Sequence, residues 1–341
     1  MNALQDYLVA EILKKFPSNS VAVKQLSDLL SKSSNAIYQR LSKSAAFSLD
    51  EIELLTRTYD VSLDTFIFKK SDAVVFTFNP FSHIVRSFDD YLDDIHKDIT
   101  LLNRLPNVHI TNASAEIPFF FYMFYPELFC FKMYVWGRTI WNFDYLQNRQ
   151  FDLHVLTHPE IQKGIDISNM YRLIASTELW SLNIMDNTLN QIEYHVNTGS
   201  FAQPQDALLL CQRLAQLAEH MEKMAFHGKK FAVGAPAEAS GGDFELFHNE
   251  MIYTNNTIFV KTPFGRTIYT TYGNPNILKT TDEKMCDYTE RWLQSIMLKS
   301  RLVSLQGESG RKFFFDRLRR RIEVVRKRVE IAINGQEDDE F

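Results

Sequence analysis

A chain of 341 residues with 45% hydrophobic content is long enough for a small head and a larger body, and too apolar to be a disordered chain. Its net charge of −5 includes −8 across residues 71–310, so the body is not an obvious general nucleic-acid surface. Three scattered cysteines, Cys130, Cys211 and Cys286, have neither metal-ligand nor disulfide-framework spacing, and no charged-then-apolar leader opens the chain, so a reducing cytoplasm is the expected setting.

Residues 2–16 read as a first helix, with Leu4, Leu8, Ile12 and Leu13 on one face and Pro17 as its stop. Residues 21–66 then form the segment around which the rest is organised. Leu26, Leu29 and Leu30 share a helical face, the polar run Ser31-Lys32-Ser33-Ser34 breaks it, and a short second helix carries Ile37 and Leu41 inward. Ser48 with Glu51 makes a capping-box pattern ahead of Leu49, Ile52, Leu55 and Tyr59. Ser62, Leu63 and Phe66 suggest a closing helix.

Leu26 to Leu30, the turn at Ser31 to Ser33, Ile37, and the run from Ser48-Leu49 through Leu55 and Tyr59-Asp60-Val61-Ser62-Leu63-Asp64 to Phe66 resemble the phage repressor/Cro-type helix-turn-helix domain. The resemblance covers residues 1–70. It implies a DNA-binding head whose recognition helix is residues 34–42. Asn35, Tyr38 and Gln39 would face base edges, while Ser33, Ser34, Arg40 and Lys43 would lie nearer the phosphates. Asn and Gln can read an adenine edge bidentately, and Lys and Arg neutralise backbone charge. Three positions depart from the family pattern. Ser31 stands at the turn position where the family usually has Gly, Val23 where many members carry Gln, and Arg40-Leu41 reverses the usual order at the helix end.

Residues 1–70 hold nine Lys/Arg against eight Asp/Glu, a weak electrostatic footprint that dimerisation would reinforce by presenting two heads to two half-sites. Residues 73–78 could be a strand or a packed connector. A surface helix begins at Phe88; its Asp89, Asp90, Asp93 and Asp94 lack calcium-loop spacing and read as a solvated face. Residues 108–111 read as a short strand. The most apolar stretch, residues 117–136, is cut by Pro118, Pro126, Glu127 and Lys132, which favours an aromatic core or the wall of an apolar pocket over a membrane span. His154, His158, Glu160 and Asp166 lack the spacing of a metal motif and read as a turn.

Helical periodicity then runs from Ile167 through Met185, over residues 189–196, and over residues 206–226, where Gly228, Lys229 and Lys230 follow the helix end. Residues 231–243 read as a loop without a phosphate-binding sequence. Residues 244–260 and 265–272 are strand-like, with turns at Asn255-Asn256 and Pro263-Phe264-Gly265. Residues 282–299 return to helical spacing. A last helix from Arg311 carries nine basic and three acidic residues up to Glu330, and the final eleven residues add a charge of −4.

The expected architecture is therefore an all-α helix-turn-helix head (1–70), a mainly helical α+β body with a small antiparallel sheet (71–330) and an acidic flexible tail (331–341). No nucleophile elbow, dinucleotide fingerprint, kinase set or metal motif is present, so neither catalysis nor a cofactor is expected. The expected function is a cytoplasmic, sequence-specific transcriptional regulator acting on double-stranded DNA as a homodimer. Its body would dimerise or sense a small-molecule or protein effector, without a membrane. Arg317, Arg320, Arg321 and Lys327 are candidate accessory contacts to the DNA backbone. A protein-interaction scaffold and an enzyme with an aromatic substrate pocket are the alternatives.

Overall fold

The computed structural model describes residues 3–59, 61–67, 73–78, 85–236, 241–250 and 256–338. The chain divides into two compact units, Met1–Val75 and Phe76–Phe341.

The first unit is helical: α1 (Ala3–Leu13), α2 (Asn19–Leu30), α3 (Ser34–Leu41), α4 (Leu49–Tyr59) and α5 (Asp64–Ile67). Ser18 caps α2 through the backbone N–H of Val21, and Ser33 caps α3 through that of Ala36. Leu8, Ile12, Val23, Leu26, Ile37 and Leu55 meet in one core. Val23, where many members of the resembled family carry Gln, is here a core residue. Leu49, expected inside, is 84% exposed. Ser31 ends α2 in the left-handed conformation, φ 51°, which is the physical reason glycine suits this turn.

The second unit contains eight strands and eight further helices among its described residues. In chain order they are β1 (Thr77–Phe78), α6 (Phe88–Asn103), β2 (His109–Ser114), α7 (Phe119–Tyr122), α8 (Pro126–Thr139), α9 (His158–Leu173), β3 (Ala175–Trp180), α10 (Asp186–Asn197) and α11 (Gln205–His227). They continue with β4 (Phe244–His248), β5 (Thr257–Thr262), β6 (Gly265–Thr271), β7 (Ile277–Thr280), α12 (Glu283–Leu298), β8 (Arg301–Leu302) and α13 (Glu308–Asp338). The sheet order is β1-β7-β6-β5-β2-β3-β4-β8. The pairs β2–β3 and β3–β4 are parallel and the others antiparallel.

This corrects the small antiparallel sheet expected from the sequence. The strands not read were β3, β7 and β8, and β3, which carries both parallel pairings, lies inside the stretch read as helical. Its odd and even positions are both buried, Leu179 toward α12 and Trp180 toward the main core, so no alternation marks it as a strand. The β5–β6 hairpin does turn at Pro263-Phe264, as read. Asn255 lies outside the described residues.

Residues 117–136 contribute a run of buried aromatic side chains to the main core. Phe121, Tyr122, Phe129, Phe131 and Tyr134 are buried from solvent, and Phe120 stacks on Tyr171 at 4.2 Å between centroids. No helix among the described residues is long and apolar enough to cross a membrane. The acidic α6 residues have partners within the protein: Asp90 completes a capping box with Ser87, and Asp89 and Asp93 pair with Lys163 of α9. Thr157 and Glu160 form a second capping box, at α9.

The last helix starts at Glu308 and continues to Asp338, so the backbone of residues 331–338 is helical where a flexible tail was expected; residues 339–341 lie outside the described residues. Phe314, Phe315, Leu318, Ile322, Val325 and Val329 supply its buried face. It packs on α10 and α11.

Candidate nucleic-acid interface

The tight turn at Ser31 projects α3 from α2 with one side packed through Ile37 and the other facing solvent. The left-handed Ser31 donates its N–H to the carbonyls of Asp28 and Ser27, which closes the end of α2. Two residues later the Ser33 hydroxyl accepts from Ala36 N at 3.3 Å and starts α3. With Ile37 fully buried, the one-turn offsets of the helix leave Ser34, Asn35, Tyr38 and Gln39 exposed. Their side chains make no hydrogen bond within the described residues, so the amides of Asn35 and Gln39 have free donors and acceptors.

Of the residues expected nearer the phosphates, Ser34 is exposed, Ser33 caps α3, and Arg40 and Lys43 have partners within the unit. Arg40 is turned inward: its Nε and Nη2 each donate to Glu51 at 3.0 Å, and Nη1 donates to the Ala36 carbonyl at 3.2 Å. This bidentate pair joins the end of α3 to the start of α4. Burial would raise the Glu51 carboxyl. The Arg40 hydrogen bonds, the Ser48 backbone N–H and the charges of Arg40 and Lys32 outweigh it and hold the carboxyl below its ordinary value. Glu51 and Ser48 form the reciprocal capping box read from the sequence. Gln5 of α1 adds hydrogen bonds to the carbonyls of Arg40 and Ala45. Lys43, at φ 67°, pairs with Asp6 at 3.0 Å.

Lys32 was not among the candidate residues read from the sequence. It lies exposed in the turn just before α3 and makes no ion pair within the described residues. Its position within the polar run was the available signal.

In the second unit the accessory candidates separate into two kinds. Arg321 makes a bidentate pair with Asp186 of α10, and Lys327 lies 3.8 Å from Glu323. Arg317 and Arg320 are exposed and have no carboxylate partner among the described residues. Comparison with family models, with curated proteins and with solved structures gives no match. Residue roles therefore rest on placement.

Two polar clusters lie inside the second unit. Glu178 Oε1 accepts from Asn112 Nδ2 at 3.0 Å and Tyr171 OH at 3.1 Å, while Trp180 Nε1 donates to Oε2 at 3.3 Å. Lys230 donates to the Tyr171 carbonyl at 3.2 Å and lies 4.1 Å from that ring's centroid. Burial pushes the Glu178 carboxyl up and the Lys230 ammonium down, disfavouring each charge, and their mutual attraction opposes both shifts. In the other cluster, Lys132 pairs with Glu116, which also accepts from Thr188 and Asn274.

Lys132, Lys230 and Glu178 have no solvent exposure, so these groups join helices to the sheet and offer solvent no reactive atom. The sequence held no signal for them: Lys230 reads as an ordinary cation after a helix end. The Cys130 and Cys211 thiols are also buried, and burial pushes both up to about 12. Among the described residues, no group of three or more His, Cys, Asp or Glu has a metal-holding arrangement.

Proposed function

We propose that the first unit is a helix-turn-helix head that binds double-stranded DNA sequence-specifically, within a transcriptional regulator. The carrying observation is α3: a short capped helix, fixed through Ile37 and the Arg40–Glu51 pair, that presents unengaged Asn35, Tyr38 and Gln39 to solvent. Rigid presentation of amide side chains is what direct readout of base edges requires. Lys32 takes the phosphate-neutralising role first given to Arg40, beside the hydroxyl of Ser34. The second unit dimerises the protein or senses an effector, because the weak charge balance of one head calls for two.

A protein-binding head is the second reading. It is favoured by Leu49 and by Tyr38, which is 53% exposed, since large exposed apolar groups suit a protein partner.

Selection of duplex fragments by the purified full-length chain separates the two. The DNA reading predicts recovery of a shared, two-fold-related site whose preference is lost on Gln39→Ala while folding is retained. Recovery of unrelated fragments, bound equally by the variant, contradicts it.

A further inference from the structure

The outward face of α13 carries Phe313, Arg317, Arg320, Val324, Lys327 and Ile331, all exposed. Steps of three and four residues align them in one seam along the helix. The inner face is occupied by α10 and α11, so the seam lies on the side turned to solvent. At its N-terminal end, Arg301 and Arg317 lie over the Phe313 ring at 5.6 and 5.5 Å from its centroid. Phe313 there borders a concavity of about 490 Å3 shared with His248, Asn249, Glu250, Ile296, Lys299 and Arg301, in which the Glu250 carboxylate is engaged by His248.

The charges along the helix are not equivalent. Arg319, Arg321 and Arg326 on its flanks are paired with Glu222, Asp186 and Glu323. Arg301, Arg317 and Arg320 make no ion pair within the described residues. The flank charges are thus cancelled while the seam stays positive on a chain of net charge −5.

We propose that this seam docks an acidic amphipathic helix of a partner protein. Its apolar side chains pack on Phe313, Val324 and Ile331, and its carboxylates pair with Arg317 and Arg320. Charge complementarity selects this occupant. A second copy of the same seam would set arginines against arginines. A bilayer needs a broad apolar face, and the broad face of α13 is already buried. A nucleic-acid backbone would use the cations but not Ile331, which is 72% exposed. The proposal does not depend on DNA binding by the first unit.

The test titrates full-length protein against a labelled model helix of about 20 residues, with Leu at heptad core positions and Glu beside them. A matched helix with Gln for Glu is the charge control. Saturable binding to the Glu helix is expected, weakened roughly tenfold by Arg317→Glu with Arg320→Glu, by Ile331→Asp and by the Gln control. All these substitutions are at exposed positions, and unchanged melting verifies the fold. Equal affinity for wild type and variants overturns the proposal. So does failure to bind the Glu helix while phosphatidylserine vesicles or random duplex bind in a way the same substitutions abolish.

Discussion

The eight residues of α3 and the 31 of α13 dispose of their charges in opposite ways. On α3 the one arginine is spent inward on Glu51, and the outward side chains are neutral amides, a hydroxyl and a phenol. On α13 most arginines are spent sideways on acids of α10, α11 and the helix itself, leaving a cationic seam outward. A neutral, hydrogen-bonding face can discriminate among partners of the same charge, whereas a cationic face attracts any of opposite charge. The charge count of a segment therefore says little about its task. What matters is which charges remain unpaired after folding.

The largest effect that sharpens this contrast is at Arg40. Arg40→Ala leaves the Glu51 carboxylate without its partner and is expected to cost the first unit about 3 kcal/mol. Arg317→Ala, at an exposed unpaired position, should change stability by less than about 0.5 kcal/mol. All four tryptophans, Trp136, Trp141, Trp180 and Trp292, lie in the second unit, so tryptophan fluorescence is blind to the Arg40 change. Hydrogen exchange of the α3 and α4 amides reads it directly.

The same pair makes the first unit sensitive to acid. Because the folded Glu51 carboxyl lies below its ordinary value of 4.5, its stabilisation is complete above that pH and is lost as pH falls through the folded value. Glu51→Gln should flatten this part of the exchange-versus-pH profile. An unchanged profile would show that the pair does not govern the acid response.

Gln39→Ala should remove about 2 kcal/mol of discrimination at one base pair of a selected site while leaving exchange protection in place. A uniform loss across all duplexes would instead make Gln39 a backbone contact. Smaller again is Arg321→Ala, where loss of the half-exposed Asp186 pair should cost about 1 kcal/mol or less in thermal unfolding of the second unit. At the low end, Ser31→Gly relieves a left-handed serine and should stabilise the first unit by about 0.5 kcal/mol, the strain removed being partly offset by the chain entropy of glycine.

Local signals in the sequence carried far. The Ser48–Glu51 capping box, the turn at Pro263-Phe264, and the long helices α11 and α13 follow from cap chemistry and periodicity within a few residues of one another. What stayed hidden depends on distant partners. The strand Ala175–Trp180 follows α9 without a turn signal and is buried on both faces, so neither spacing nor breakers distinguish it from helix. Glu51 finds Arg40 eleven residues away, which a local reading of α3 as a row of outward polar groups could not anticipate. Lys132 and Lys230 look like solvated cations until the fold encloses them.

The most direct test of the central contrast is to measure the affinity of a selected duplex, and of the same duplex scrambled, for four full-length proteins: wild type, Asn35→Ala with Gln39→Ala, Arg317→Ala with Arg320→Ala, and Lys32→Ala. Reading by α3 predicts that the first pair of substitutions erases the difference between the duplexes. Lys32→Ala should weaken both equally, and the α13 pair should leave the difference intact. A site preference that survives Asn35→Ala with Gln39→Ala, or that disappears with the α13 pair, would contradict the assignment of sequence reading to α3.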